Sequence, residues 1–223
     1  MNTKSITIIF IIISIVTFML GSWQLYRLNW KNNLISNISA SINNPELYKP
    51  EKFYENLTSV KLDDNYKIVN QPVFIESKTF KGNPGYHLIS PIKLNGQFFS
   101  IVNFGWVKEK DLLDTQNIFE KYSSLDYIRV YLRDFHSDKA FFTPQNDLIK
   151  NIWYSVNKTD MNRYYESSFK SEYYFVLLDE RVNKFIHNPL VFLRNNHLNY
   201  SITWFLLSLS SLTMLLIIRK KNG

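Results

Sequence analysis

The chain has 223 residues, 45% of them hydrophobic and 16% aromatic, with a net charge of +7 and no cysteine. That length allows one modest core in addition to membrane segments, and the absent cysteine excludes disulfides, thiolate metal sites, iron–sulfur clusters and CxxC redox chemistry. The charge does not point to nucleic acid: Lys4, Arg219, Lys220 and Lys221 hold four of the 26 basic residues, the other 22 are interspersed with 19 acidic ones, and no basic stripe with interleaved aromatics is present.

Ser5 to Tyr26 carries no formal charge, and Ile6 to Leu20 is dominated by Ile, Val, Phe and Leu. A helix rising about 1.5 Å per residue needs roughly 20 such residues to cross a bilayer. A secretory signal peptide is the competing reading, since Lys4 supplies a short positive start. The apolar run is too long for one and no A-x-A-like cleavage site follows, so an uncleaved anchor is expected. Ser14, Thr17, Gly21 and Gln24 fall on one stripe of this helix, small enough to let a second helix approach. Arg27 and Lys31 continue the stripe; Trp23, Tyr26 and Trp30 beside them also fit an aromatic belt with snorkelling cations.

Residues 32–64 are polar and helix- or loop-like, with Pro45 and Pro50 as breakers. A β period then begins. Val73 to Phe80 reads as a strand, Pro84-Gly85 as the centre of a type II turn, and Tyr86 to Leu94 as a second strand. Asn95-Gly96 forms a type I′ hairpin turn into a third strand, Gln97 to Val107, which completes an antiparallel meander. Gly105 within that strand signals a bulge or a close backbone approach, a structural role.

Glu109 to Tyr122 reads as a helix with acids early and Lys121 late. Tyr127 to Phe135 reads as a strand, Phe141 to Asp147 as a loop, and Ile152 to Val156 as a short strand. Thr159 caps a helix through Phe169, and Tyr173 to Asp179 is the last strand. Residues 180–193, with Pro189, lead to a second charge-free stretch, Asn195 to Ile218. Its start holds an amide pair, an imidazole and two large aromatics. Steps of three or four from His197 reach Ser201, Trp204, Ser208 and Ser211, a stripe that should face protein or ligand.

The expected architecture is a membrane protein with two transmembrane helices, 6–26 and 198–218, flanking one antiparallel β-rich α+β, barrel-like domain at 27–197. The basic cluster after the second helix places both short termini, 1–5 and 219–223, in the cytoplasm and the central domain outside; Arg27 and Lys31 oppose this only mildly. The chain holds no internal repeat, phosphate-binding glycine loop, nucleophile elbow or HExxH. The four histidines, His87, His136, His187 and His197, are scattered, and His136 with Asp134 or Asp138 reads as a surface loop. An enzyme is not expected. A sensor would need a partner for output, since only Arg219 to Gly223 follow the second helix.

Several blocks resemble the surfeit locus protein 1 family of cytochrome c oxidase assembly factors, in that family's order. They are Leu20-Gly21-Ser22-Trp23-Gln24 with Arg27 and Lys31, Gly85-Tyr86-His87 through Ser90-Pro91, and Val102-Asn103-Phe104-Gly105-Trp106-Val107. Phe142 to Asp147 with Trp153-Tyr154 follows, then Asn195-Asn196-His197-Leu198-Asn199-Tyr200 with Thr203-Trp204-Phe205. One departure is visible: the family's Arg-Gly-Trp-Val-Pro stands here as Phe104-Gly105-Trp106-Val107-Lys108.

The resemblance implies a non-enzymatic chaperone of the cell membrane that helps place haem a into the oxidase's large catalytic subunit, next to the haem a synthesis machinery. His197 is then the candidate iron ligand, because a neutral imidazole suits an axial position. Trp204 offers a flat apolar wall, and Arg27 and Arg194 suit carboxylate capture from the propionates. A plain interfacial histidine bonded to Asn196 or a lipid headgroup is the competing assignment. A protein-only scaffold for an oxidase intermediate is the alternative function.

Overall fold

The computed structural model describes residues 3–110, 112–135, 143–186 and 188–222. His136, Asp138, Phe141, Phe142 and His187 lie outside them. The chain divides into two compact units, Met1–Asn37 with Phe192–Gly223, and Ile38–Val191.

The first unit is a pair of helices. Helix α1 runs Thr3–Asn43 and helix α4 runs His197–Asn222. Both are long and apolar enough to cross a membrane, and only 17% of the most apolar stretch of each is buried. Outward faces such as Ile8, Ile12, Phe18, Leu206 and Leu216 are exposed, a surface that water would not tolerate at this extent. Of the two states expected for residues 32–64, helix holds as far as Asn43. Leu34, Ile35, Ile38 and Ile42 keep a helical period until Pro45 ends it.

Among the described residues the second unit is an eight-stranded sheet with two helices. Its strands are β1 (Glu46–Leu47), β2 (Ser59–Asp63), β3 (Tyr66–Ile68), β4 (Val73–Phe80), β5 (Asn83–Leu94), β6 (Gln97–Val107), β7 (Tyr127–Asp134) and β8 (Tyr173–Leu177). The helices are α2 (Leu112–Ser123) and α3 (Lys158–Tyr164), and a 3-10 turn spans Pro189–Phe192. The strand order is β1-β2-β7-β8-β6-β5-β3, with β4 also on β5.

The sheet is mixed, not antiparallel throughout. β4-β5-β6 is the expected meander, but β8 lies parallel to β6 and β1 parallel to β2. The long excursion through α2, β7 and α3 lets the chain return in the same direction as β6, which a short hairpin forbids. The order is open, without a pairing between its two ends among the described strands, so barrel-like closure is not completed.

Both faces of this sheet are covered. Leu88, Val102, Val130 and Phe175 pack with Ile118, Phe119 and Tyr122 of α2, while their chain neighbours Ile89, Ile101, Tyr131 and Val176 pack with Trp153, Met161 and Phe169 on the other face. Alternation along each strand therefore divides one apolar sequence between two cores. All five residues of β8 are buried, as a central strand covered on both faces requires.

Local chemistry explains where turns differ from expectation. Asn95 and Gly96 take φ of 52° and 78°, the type I′ turn foreseen. The preceding turn is Lys81-Gly82, with φ of 50° and 83°, and Pro84-Gly85 already belong to β5. Phe80 pairs directly with Asn83, so only two residues can turn; Pro84 is tolerated because it lies beyond the β6 ladder, which ends at Tyr86. Helix α3 is capped by Asn157, whose Oδ1 accepts from Asp160 N, and it stops at Tyr164 short of Phe169. Residues 152–156 form isolated bridges, Ile152 to Asp147 and Trp153 to Ile75, in place of a strand.

Gly105 sits in a bulge, where the register shifts between His87–Trp106 and Ile89–Asn103, with φ of 93°. A Cβ there would lie 2.6 Å from the carbonyl oxygen of Phe185. The structural role expected for this glycine is the one observed.

Asp179, fully buried, fixes the exit from β8. It accepts from Arg181 Nε at 2.8 Å and Nη2 at 2.7 Å, and from the backbone N–H groups of Arg129 and Arg181. Burial pushes its carboxyl upward, but the Arg181 guanidinium and these N–H groups together reverse that and hold it below the ordinary carboxylate value. A pKa lower in the folded than in the unfolded chain contributes stability above the ordinary carboxylate range, lost as pH falls through the folded value. Melting of the detergent-purified chain should therefore weaken below about pH 4, and Asp179→Asn should cost about 2 kcal/mol at neutral pH while flattening that acid limb. An unchanged acid limb in the variant would remove Asp179 as its source.

Candidate functional site

The polar stripes of α1 and α4 meet. Ser211 Oγ donates to Phe10 O at 2.9 Å, Ser208 Oγ to Ser14 O at 3.0 Å, and Ser201 Oγ to Gly21 O at 3.0 Å. The pairs ascend one helix and descend the other, so the helices run antiparallel. Ser14, Thr17, Ser201, Ser208 and Ser211 are all buried in this seam. Small residues bring the backbones together, and each hydroxyl finds a carbonyl where no water competes. Gly21 is the tightest point: a Cβ would meet the Phe205 ring at 2.8 Å. Phe205 also packs on Phe18, with ring centres 5.5 Å apart.

At the end of the seam His197 Nδ1 lies 2.7 Å from Gln24 Oε1. A carboxamide oxygen only accepts, so Nδ1 carries the hydrogen. In the neutral ring the lone pair is then on Nε2, which has no hydrogen-bond partner among the described residues. The first residues of α4 are tied down as well. Asn195 Nδ2 donates to Asn32 Oδ1 at 2.9 Å, while Asn195 Oδ1 accepts from His197 N at 3.4 Å. The half-buried imidazole is thus oriented by one hydrogen bond at Nδ1, and Asn195 ties only the His197 backbone.

The seam joins His197 to Gln24, a partner that sequence reasoning did not name. Both residues were visible as members of facing stripes; their pairing, 173 positions apart, was not. Arg27 is half-buried with its guanidinium 4.3 Å above the Trp30 ring, a cation–π contact. Arg194 is exposed and Trp204 half-buried. Neither makes a hydrogen bond or ring contact with His197 among the described residues; the aromatic pressed on α1 is Phe205. No group of three or more His, Cys, Asp or Glu residues able to hold a metal occurs among the described residues.

The sequence model of the SURF1 family matches residues 11–209. A SURF1-like protein of Rickettsia felis is 23% identical over 212 residues, covering 90% of this chain and 91% of the relative. One of Dictyostelium discoideum is 24% identical, covering 91% of this chain and 92% of the relative. Cytochrome oxidase assembly protein SHY1 of Saccharomyces cerevisiae is 26% identical over 114 residues, 47% of this chain and 28% of the relative.

Proposed function

The chain belongs to the SURF1 family, and from that premise we propose that it is a membrane assembly factor for cytochrome c oxidase that holds haem a for delivery to the large catalytic subunit. The observation that carries the haem reading is the His197–Gln24 pair. It leaves one unshared nitrogen lone pair, on an oriented ring, at the mouth of a helix seam.

The cargo would be held by His197 through Nε2, with Arg27 and Arg194 available to its propionates and Trp204 to its apolar face. A single protein ligand would give moderate affinity, which suits a cargo that has to be released. A two-ligand site would oppose release. Residues 6–26 and 198–218 are the crossing segments, with the basic Arg219, Lys220 and Lys221 in the cytoplasm and residues 27–197 on the outer side of the cell membrane. The role asks for no catalysis by this chain; its partners are the oxidase, the haem a synthesis machinery and lipid. The yeast relative's name, cytochrome oxidase assembly protein, supports the oxidase as the destination.

The test is purification from cells that co-express the haem a pathway. The chain is expected to carry a haem a absorption spectrum that is lost when the pathway is omitted. Oxidase subunits recovered with the chain but without any haem signal would assign it instead to a protein-only scaffold.

A further inference from the structure

The sequence holds two long stretches without an acidic residue, 77–108 and 181–223. In the sheet unit they meet at one end. Phe80, just before the β4–β5 turn, packs on Trp106 near the end of β6 with ring centres 5.8 Å apart, and Phe185 packs on both, 5.6 Å from Phe80 and 5.5 Å from Trp106. Trp106 N donates to Phe185 O at 2.8 Å, so the connector after β8 is fixed to the sheet and moves with it. Phe185 is nevertheless 47% exposed, and Val191, further along in the 3-10 turn, is 70% exposed.

The exposed cations of this end are Lys81 in the turn and Lys184 beside Phe185. Lys81 Nζ lies 5.5 Å over the Phe80 ring, and neither lysine has an ion-pair partner among the described residues. Lys108 is offset by Glu109 at 3.9 Å, and Asp114 and Glu180 share their groove with Lys121 and Arg181. Exposed apolar side chains set between unpaired lysines make an interfacial surface: the apolar groups enter a headgroup layer while the lysine stems reach its phosphates. The chain itself limits where this surface can go. Val191 is joined to the start of α4 at His197 by at most about 20 Å of extended chain. If α4 crosses a bilayer, Val191 stays within that distance of the helix entrance, a constraint that an acidic protein partner would not supply.

We propose that this end of the sheet unit, the β4–β5 turn with Phe185 and Val191, rests in the headgroup layer of an anionic bilayer. Phe185 and Val191 enter the layer, and lipid phosphates meet Lys81 and Lys184. The inference rests on the reading of α4 as a membrane span, and its test separates the two. Its decisive element is the turn, which is remote from both apolar helices in sequence and reaches lipid only through the Phe80–Phe185 contact.

The absence of cysteine lets a single nitroxide label be placed at a chosen position. Asn83→Cys, Val191→Cys, Gln97→Cys and Leu206→Cys are all at exposed positions. Asn83 opens β5, whose 12 residues carry the chain about 40 Å, at about 3.3 Å each, toward the turn before Gln97, so these two labels report opposite ends of the sheet unit. Each labelled full chain is reconstituted into vesicles of equal parts phosphatidylcholine and phosphatidylglycerol. Power saturation then measures collisions with oxygen, which favours lipid, and with nickel ethylenediaminediacetate, which favours water. The Leu206 label is expected in hydrocarbon and the Gln97 label in water. The Asn83 and Val191 labels should fall between them, shielded severalfold from nickel relative to Gln97. Lys81→Glu with Lys184→Glu should return the Asn83 label toward the Gln97 value, with thermal melting to confirm that the variant is folded. An Asn83 label as wet as Gln97, with Leu206 in hydrocarbon, would overturn the proposal and leave the span standing; a wet Leu206 label would overturn the span and the proposal with it. Shielding of Asn83 from oxygen and nickel alike would mean that protein covers this end. Shielding that persists in pure phosphatidylcholine or after charge reversal would remove the anionic headgroup as its cause, and any of these results sinks the proposal.

Discussion

Gly105→Ala is expected to destabilise the sheet unit by about 4 kcal/mol or more, enough to leave little folded protein at growth temperature. Two costs combine. At φ of 93° an L side chain is strained, and the new Cβ would sit 2.6 Å from Phe185 O. That oxygen cannot retreat, because it accepts from Trp106 N and its segment is held by Asn183 to Phe104 O and Trp106 O. Gly82→Ala separates the two costs. Gly82 has φ of 83° but nothing within 4 Å of its Cβ, so its loss should be about 1–2 kcal/mol. Thermal melting of both variants beside the parent measures the difference. Equal loss at the two positions would show that backbone conformation alone, and not the approach of Phe185, sets the requirement at Gly105.

What the sequence made legible was what local chemistry decides. Asn95-Gly96 specifies a two-residue turn without help from the rest of the chain, and Val73–Phe80 and Gln97–Val107 are bounded by such turns on the sides where their ends were foreseen. The facing stripes of α1 and α4 were legible because a three-to-four period with Ser and Gly in an otherwise Ile- and Leu-rich helix has few other uses. Pairings decided at long range were not. β2, Ser59-Val60-Lys61-Leu62-Asp63, is short and half-polar, and it exists because β7 runs beside it through Val60–Val130 and its neighbours. β8 was seen as a strand, but its parallel place beside β6 depends on how α2 and α3 cover the two faces. Pro84-Gly85 misled because the dipeptide fits a turn in isolation, whereas the Phe80–Asn83 pair had already closed the hairpin. The candidate site followed the same rule: His197 was identifiable as a polar residue at the entrance of a long apolar helix, and Gln24 became its partner only through the antiparallel seam.

If the chain holds haem a through His197 as proposed, Gln24→Leu is expected to lower haem a occupancy of the purified chain by about 10- to 100-fold, the range found when the outer partner of a ligating histidine is removed. His197→Ala should abolish it. The two variants act on different atoms. Alanine at 197 removes the proposed ligand nitrogen itself, while leucine at 24 keeps an apolar side chain of similar size in the seam and removes the acceptor at 2.7 Å from Nδ1. Without that acceptor a half-buried N–H is left unsatisfied, at a cost of about 1–3 kcal/mol. The imidazole then gains by turning or by moving its hydrogen to Nε2, either of which would take the Nε2 lone pair away from a bound metal. Gln24→Glu supplies the control, since a carboxylate oxygen restores the acceptor and makes the imidazole a stronger donor to the metal. Occupancy should recover toward the parent value, with a displaced absorption maximum that a merely structural role for Gln24 would not produce. The helix pair itself should survive every one of these changes, because the Ser14–Ser208, Ser201–Gly21 and Ser211–Phe10 hydrogen bonds lie deeper in the seam and involve neither side chain. Full haem content in Gln24→Leu would mean that the ring is oriented by something other than this hydrogen bond, and full content in His197→Ala would move the ligand to another residue altogether.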